Sequence, residues 1–227
     1  MIALTRMRLH AFVRTGRAVA PLIAALAVLS ILYGGGQAEA VEAYGVSALV
    51  AFPVLAWQTK ILLDVEPDVQ RRLARVALGS ARREIAAGLL AAAVAGLAVI
   101  AVALVVPWLV GGVKTGTATE TAGSILTGLG VHLLALGPAV ALGALSCRAV
   151  TRSAGMGAAV LVTGAVLAIV LGLQGSPVPW LVPPLMATTR LATSGGTPLA
   201  ATLLTAQALT WTALTTWLYS HLRHTRT

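Results

Sequence analysis

Long apolar runs separated by short polar segments form the main pattern along this chain. The runs cover residues 18–35, 44–63, 85–110, 122–147, 154–173 and 197–220. A helix needs about 20 mostly apolar residues to cross a bilayer. The last four runs contain no acidic or basic residue except His132. The pattern predicts an all-α, polytopic membrane protein with six transmembrane helices in a single domain over residues 1–227.

Composition excludes a soluble domain and a nucleic-acid-binding protein. Hydrophobic residues make up 58% of the chain and charged residues 10%, whereas soluble domains contain about 25% charged residues. The net charge of +9 is divided among short stretches between the apolar runs, and nucleic-acid binders instead gather it on one polar face. Cys147 is the one cysteine, so a disulfide or a cysteine metal cluster cannot form within the chain.

The basic residues predict the orientation of the chain. Fourteen of the sixteen lysines and arginines fall on one side of a six-span bundle, and Lys114 and Arg190 fall on the other. The positive-inside rule therefore predicts that both termini are cytoplasmic. Arginine outnumbers lysine, and alanine, glycine, valine and leucine dominate, which indicates a GC-rich bacterial gene and a bacterial plasma membrane.

The first apolar run allows a second interpretation. Basic residues, an apolar stretch and the A-x-A pattern at residues 38–40 imitate a cleavable signal peptide. The segment before the run nevertheless interleaves arginines with apolar side chains, namely Leu4, Leu9, Phe12 and Val13. That mixture favours an N-terminal helix lying on the inner membrane surface.

Residues 64–80, between the second and third runs, predict a short amphipathic helix on the cytoplasmic side. Acidic residues begin the segment, arginines follow, and Gly79 can end the helix. Val69, Leu73 and Val76 recur at helical spacing and form one apolar face. The favoured interpretation is a docking helix for a cytoplasmic partner, and the alternative is a linker on the membrane surface.

Residues 174–197, between the fifth and sixth runs, are too interrupted by proline to span a membrane and too apolar for a solvated loop. Non-helical backbone at membrane depth is tolerated only where protein or water satisfies it. We expect a short re-entrant or surface helix that starts at Pro184 and ends at Gly195.

This arrangement resembles the permeases of type-2 ATP-binding-cassette (ABC) exporters. The resemblance rests on six spans, an interfacial N-terminal helix, the acidic-then-arginine helix at residues 64–80 and the WLVPPL piece at residues 180–185. It implies that the helix at residues 64–80 is a coupling helix that contacts a separate ATPase, and that the short helices before the last span are extracellular. It also implies two permease subunits with two ATPase copies. The implied coupling residues are Asp64, Glu66, Asp68, Arg71, Arg72, Leu73, Arg75 and Val76.

ATP is not expected to bind to this chain. The GGVKT piece at residues 111–115 lacks the glycine that precedes lysine in a nucleotide-binding loop. The chain is therefore predicted to be no enzyme and to hold no cofactor or metal, with ATP and Mg²⁺ bound by the partner ATPase. Nothing in the sequence names the cargo or separates a homodimer from a heterodimer.

His132 is the one titratable residue deep inside an apolar run. It lies ten residues after Ala122, or about 15 Å along a helix, close to the membrane midplane. We expect a neutral histidine hydrogen-bonded between helices. A role in a substrate or proton pathway is the alternative, because ionisable groups within membranes are often functional.

Two other function classes compete with the exporter. One is a membrane scaffold or assembly factor that uses the helix at residues 64–80 only to bind a partner. The other is an intramembrane serine protease built on Ser47 and His132. Helix lengths place His132 about 10 Å deeper than Ser47, and Ala48 replaces the glycine expected after the serine. Both observations argue against a protease.

Overall fold

A computed structural model of the protein describes residues 1–225, in which helices are the regular secondary structure and no strand is present. Ten α-helices are joined by short connections, with a single 3-10 turn at Pro179–Leu181. The helices are α1 Ile2–Arg14, α2 Val19–Tyr33, α3 Ala40–Leu63, α4 Asp68–Leu78, α5 Ala81–Leu109, α6 Ala118–Leu145, α7 Arg148–Thr151, α8 Ala154–Val170, α9 Leu185–Ser194 and α10 Pro198–Thr225.

Three helices, α3, α5 and α6, are long and apolar enough to cross a membrane, and a fourth span results if α1 and α2 count as one. The axes of α1 and α2 meet at 71°, so this pair is sharply bent. All six apolar runs lie mainly on a helix each, but α2 has 15 residues and α8 has 17. Such helices are about 22–26 Å long, shorter than a hydrocarbon core of about 30 Å. The prediction of an all-helical fold is confirmed for the described residues, with three or four helices that could cross a membrane. The number of six spans remains a prediction.

The centre of the bundle is α3, which contacts α2, α5, α6, α8 and α9. Its most extensive contact is with α6, and the two helices run in the same direction. Glycines of α6 permit the close approach: a Cβ at Gly128 would lie 2.5 Å from Tyr44 Cδ2, and a Cβ at Gly143 would overlap the carbonyl oxygen of Ala56. At both positions the backbone of α6 therefore lies directly against α3.

The small-residue face of α5 is used for packing within the chain. A Cβ at Gly96 would lie 2.5 Å from Leu136 of α6, and Gly88 faces the Arg8 guanidinium of α1. Ala92, between these two glycines, is 1% exposed. Small residues at such positions let helices approach closely in a bilayer, and here the neighbours are other helices of the same chain.

Local signals for the two short helices are confirmed. Helix α4 begins at Asp68, directly after Pro67, and ends at Gly79, which adopts a left-handed backbone conformation with φ 62°. Helix α9 begins after Pro184 and ends at Gly195, also left-handed with φ 65°. Proline at the start and glycine just past the end follow the preferences of helix termini.

Helix α1 packs against the protein rather than lying only on lipid. Phe12 is 2% exposed and belongs to a core that includes Leu62, Ile85 and Tyr219. Val13, the next residue, points outward. The N-terminal helix is therefore held against α5 and the C-terminal end of α3, where the arginine-rich segments meet.

Candidate functional site

Four buried charged side chains join distant parts of the chain at this arginine-rich end. Arg8 of α1 donates from Nε and Nη2 to Glu66 Oε2, at 2.9 Å and 2.5 Å. The same Nη2 contacts Glu84 Oε1, and Nη1 donates to the Glu84 carbonyl oxygen at 2.9 Å. Arg223 of α10 donates from Nη2 to Glu84 Oε2 at 2.8 Å and from Nη1 to the Tyr219 hydroxyl at 3.0 Å. We call Arg8, Glu66, Glu84 and Arg223 the ion-pair network.

The ion-pair network anchors the start of α4. All four side chains are buried, and Glu84 is completely inaccessible. Charges in such surroundings are tolerated only when they are paired and hydrogen-bonded. Since Glu66 lies two residues before α4, the network connects that helix to α1, α5 and α10.

Asp64 makes a second connection, between the end of α3 and the α6–α7 corner. Its Oδ2 accepts from Lys60 Nζ at 2.7 Å, and its Oδ1 accepts from the backbone N–H of Arg148 at 2.7 Å. The Arg148 Nη2 also donates to the Asp64 carbonyl oxygen at 2.9 Å. Asp64 and Glu66, predicted as coupling residues, are therefore buried and bonded to other segments of the same chain in this structure.

The polar face of α4 borders a cavity of about 1000 Å³ at the same end of the bundle. Asp68 of this face accepts from Arg71 Nη2 at 2.6 Å. Three carboxylates line the cavity, those of Asp64, Glu66 and Asp68. Seven arginines line it as well: Arg17, Arg71, Arg72, Arg75, Arg148, Arg152 and Arg223. We call this space the arginine cavity.

The apolar face of α4 points the other way. Val69, Leu73 and Val76 are 67%, 65% and 80% exposed, although spacing places them on a single face. No residue of α4 is buried. The predicted coupling residues thus divide into two groups: the charged residues, which line the arginine cavity, and two apolar side chains directed outward. Among the charged residues, Asp64 and Glu66 are buried.

The expectation that Ser47 and His132 lie about 10 Å apart in depth is wrong. Ser47 Oγ is 3.0 Å from His132 Nε2. The expectation assumed that Tyr44 and Ala122, where the apolar runs begin, lie at the same depth. In the structure Tyr44 packs against Gly128 instead. The register is displaced by six residues, which is about 9 Å along a helix.

The Ser47–His132 contact is a buried hydrogen bond between α3 and α6. His132 Nδ1 lies 2.7 Å from the Gly128 carbonyl oxygen, which only accepts, so Nδ1 carries the proton and Nε2 accepts from the Ser47 hydroxyl. A carbonyl thus stands where a catalytic triad has a carboxylate. Both side chains are fully buried, so a substrate could reach them only if α3 and α6 separated. The contact agrees with a histidine that joins helices, and a pathway role stays a hypothesis.

Sequence reasoning missed three members of the ion-pair network, Arg8, Glu84 and Arg223. One signal was present: Glu84 is the only carboxylate between residues 69 and 119, and it directly precedes a long apolar run. An acidic residue at the edge of a span needs a basic partner. The identity of the partners depends on tertiary contacts, because Arg8 and Arg223 are 76 and 139 residues away.

Comparisons with protein families, with curated proteins and with solved structures find no match to this chain.

Proposed function

We propose that this chain is the transmembrane subunit of an ATP-driven exporter of the type-2 ABC class. The observation that carries the proposal is the orientation of α4. Its apolar face, Val69, Leu73 and Val76, is exposed, while its base is tied into the bundle through Glu66 and Asp64. An exposed apolar surface on a helix fixed at its base suits a docking element that receives a force.

The connections of α4 support a coupling role over that of a membrane-surface linker. A linker needs only to join α3 to α5. Here the segment before α4 is also bound to α1 by Glu66 and Arg8, and through Glu84 to α10. Displacement of α4 by a partner would therefore move several helices together. In this proposal ATP-driven closure of two ATPase subunits pushes on α4 in each of two permease subunits, and the helices tilt between inward-open and outward-open states.

The proposed topology has six spans with both termini in the cytoplasm of a bacterium. Its support is the collection of arginines around the arginine cavity at one end of the bundle, whereas Lys114 pairs with Glu39 near the 38–113 backbone bridge. The positive-inside rule assigns the arginine-rich end to the cytoplasm. Under this topology α9 and the turn before it are extracellular.

Cysteine labelling tests the topology. With Cys147 replaced, single cysteines at the exposed positions Thr117 and Ser194 are expected to react with a membrane-impermeant reagent in intact cells. A cysteine at the exposed Gln70 of α4 is expected to react only after the membrane is opened. Labelling of Gln70→Cys in intact cells would contradict the cytoplasmic placement of α4.

Aspartate substitutions on the apolar face test the docking role. Leu73→Asp and Val76→Asp each place a charge where the proposal buries an apolar side chain, so copurification of the ATPase is expected to fall more than tenfold. Because both residues are exposed in the free subunit, the level of protein in the membrane should not change. Gln70→Asp adds the same charge to the same helix outside the apolar face and should keep the ATPase bound.

Reversing Glu66 is not a clean test of docking, because Glu66→Arg would break the ion-pair network. If Leu73→Asp, Val76→Asp and Gln70→Asp all retain the ATPase, α4 is a linker and the coupling proposal is wrong. If no ATPase copurifies with the unaltered protein, and another protein is lost on Leu73→Asp, the chain is a membrane scaffold or assembly factor instead.

A further inference from the structure

The arginine cavity carries an inference that does not depend on an ATPase. Its lining holds more positive than negative charge, with seven arginines against three carboxylates. The carboxylates are already engaged: Asp64 with Lys60, Glu66 with Arg8, and Asp68 with Arg71. The negative charge on the cavity wall is therefore largely compensated by contacts that exist without a ligand.

Several arginines of the cavity have unused binding capacity. Within residues 1–225, Arg72, Arg75 and Arg152 form no ion pair. The Nε atoms of Arg71 and Arg75 are buried and have no hydrogen-bond partner among the described residues. Buried donors are normally satisfied, so the guanidinium groups of Arg71 and Arg75 leave hydrogen-bonding capacity unused within the described chain.

We infer that the arginine cavity binds a phosphate group, and that the phosphate belongs to the headgroup of an anionic phospholipid in the cytoplasmic leaflet. The planar guanidinium group binds phosphate through two parallel hydrogen bonds. A volume of about 1000 Å³ is much larger than a single phosphate and accommodates a whole headgroup.

The position of the cavity favours a lipid as the source. One wall is Arg17, in the turn between α1 and α2, and another is Arg148, at the corner after α6. Both residues lie next to the ends of apolar helices, at the depth of lipid headgroups in the proposed topology. Basic pockets between transmembrane helices on the cytoplasmic side are suited to acidic headgroups.

Ligand binding here would act on α4. Arg71, Arg72 and Arg75 are on that helix, whereas Arg148 begins α7 and Arg152 directly follows it. A phosphate between the two groups would reduce the repulsion among like charges and hold α4 against α7. In the membrane the lipid therefore serves as a structural ligand that sets the position of the docking helix.

Binding is measured on the purified full-length chain in detergent. The lipid probe is short-chain phosphatidylglycerol, short-chain phosphatidylcholine is the zwitterionic control, and inorganic phosphate and glycerol 3-phosphate are the soluble probes. We expect saturable binding of phosphatidylglycerol, at least tenfold tighter than that of the other three. Arg72→Gln combined with Arg75→Gln should raise the Kd of phosphatidylglycerol at least tenfold.

The matched control is Arg82→Gln combined with Arg83→Gln. It removes the same charge from the same end of the chain at two exposed residues outside the cavity, and the Kd should change less than twofold. An equal loss in both double variants would overturn the inference, because binding would then follow net charge alone. Phosphatidylcholine binding as tightly as phosphatidylglycerol would overturn it as well.

The remaining outcomes identify which kind of anionic group binds in the arginine cavity. Soluble phosphates that bind as tightly as phosphatidylglycerol would support the phosphate site and refute a lipid as its ligand. Absence of binding by all probes, with loss of the ATPase in Arg72→Gln/Arg75→Gln, would make the cavity a socket for acidic residues of that partner and overturn the inference. Leu73→Asp should leave phosphatidylglycerol binding unchanged, so failure of the docking proposal can be told apart from failure of this one.

Discussion

Replacement of Glu84 by glutamine is expected to destabilise the bundle strongly. The Glu84 carboxylate accepts from Arg8 through Oε1 and from Arg223 through Oε2, and it is completely buried. Glutamine keeps the shape of the side chain but removes the charge and turns one acceptor into a donor. Arg8 would keep its pair with Glu66, whereas the pair of Arg223 with Glu84 would be lost.

The magnitude follows from the burial of these charges. Removing one partner of a buried ion pair costs about 3–5 kcal/mol, because the other charge stays buried without compensation. For a chain of 150–250 residues each kcal/mol lowers the Tm by about 2–4 °C. We therefore expect Glu84→Gln to lower the Tm by about 10 °C.

The assay is thermal unfolding of the purified chain in detergent, followed by circular dichroism. The matched control is Glu39→Gln, which breaks the exposed pair of Glu39 with Lys114, whose side chains are 68% and 57% accessible. Exposed pairs contribute little, so the Tm should hardly change. Combining Glu84→Gln with Arg223→Met removes one of the two guanidinium groups that paired with Glu84 and should recover part of the lost Tm. Equal Tm values for Glu84→Gln and Glu39→Gln would refute the reasoning.

Two further predictions concern the α3–α6 contact. Gly143→Ala should lower stability by about 1–3 kcal/mol through overpacking against α3. The control Gly123→Ala, in the same helix, adds its methyl group into open space and should not lower the Tm. A similar decrease for both variants would contradict the close approach of α3 and α6. His132→Ala should cost about 1–3 kcal/mol because it removes the hydrogen bond to Ser47 and leaves a cavity between α3 and α6. Ser47→Ala should cost about 1 kcal/mol. Both are measured by thermal unfolding, and unchanged stability of His132→Ala with lost transport would favour a pathway role.

Local features of the sequence were sufficient to predict the helices. Each of the six apolar runs lies mainly on one helix. A helix satisfies the backbone hydrogen bonds of an apolar run within the run itself, so the run alone is enough to predict it. Gly79 correctly predicted where α4 ends, and Pro184 with Gly195 correctly predicted where α9 begins and ends. These residues act through their own backbone conformation, so no knowledge of distant contacts was required.

Tertiary packing decided how those helices are combined. The depth of His132 relative to Ser47 depends on glycines that bring α3 and α6 together. The residues at which the apolar runs begin do not reveal how the two helices are aligned. Likewise the sequence predicted a charged face and an apolar face on α4, but it did not indicate which face turns toward the bundle.

Partners of charged residues were also decided by the structure. Glu84 pairs with side chains 76 and 139 positions away, and no local pattern selects them from sixteen lysines and arginines. The sequence by itself determined a chain of long apolar helices with basic residues concentrated between particular runs. Only the tertiary structure assembled those residues into an ion-pair network and the arginine cavity, because the energy of a buried charge depends on the neighbours that the fold supplies.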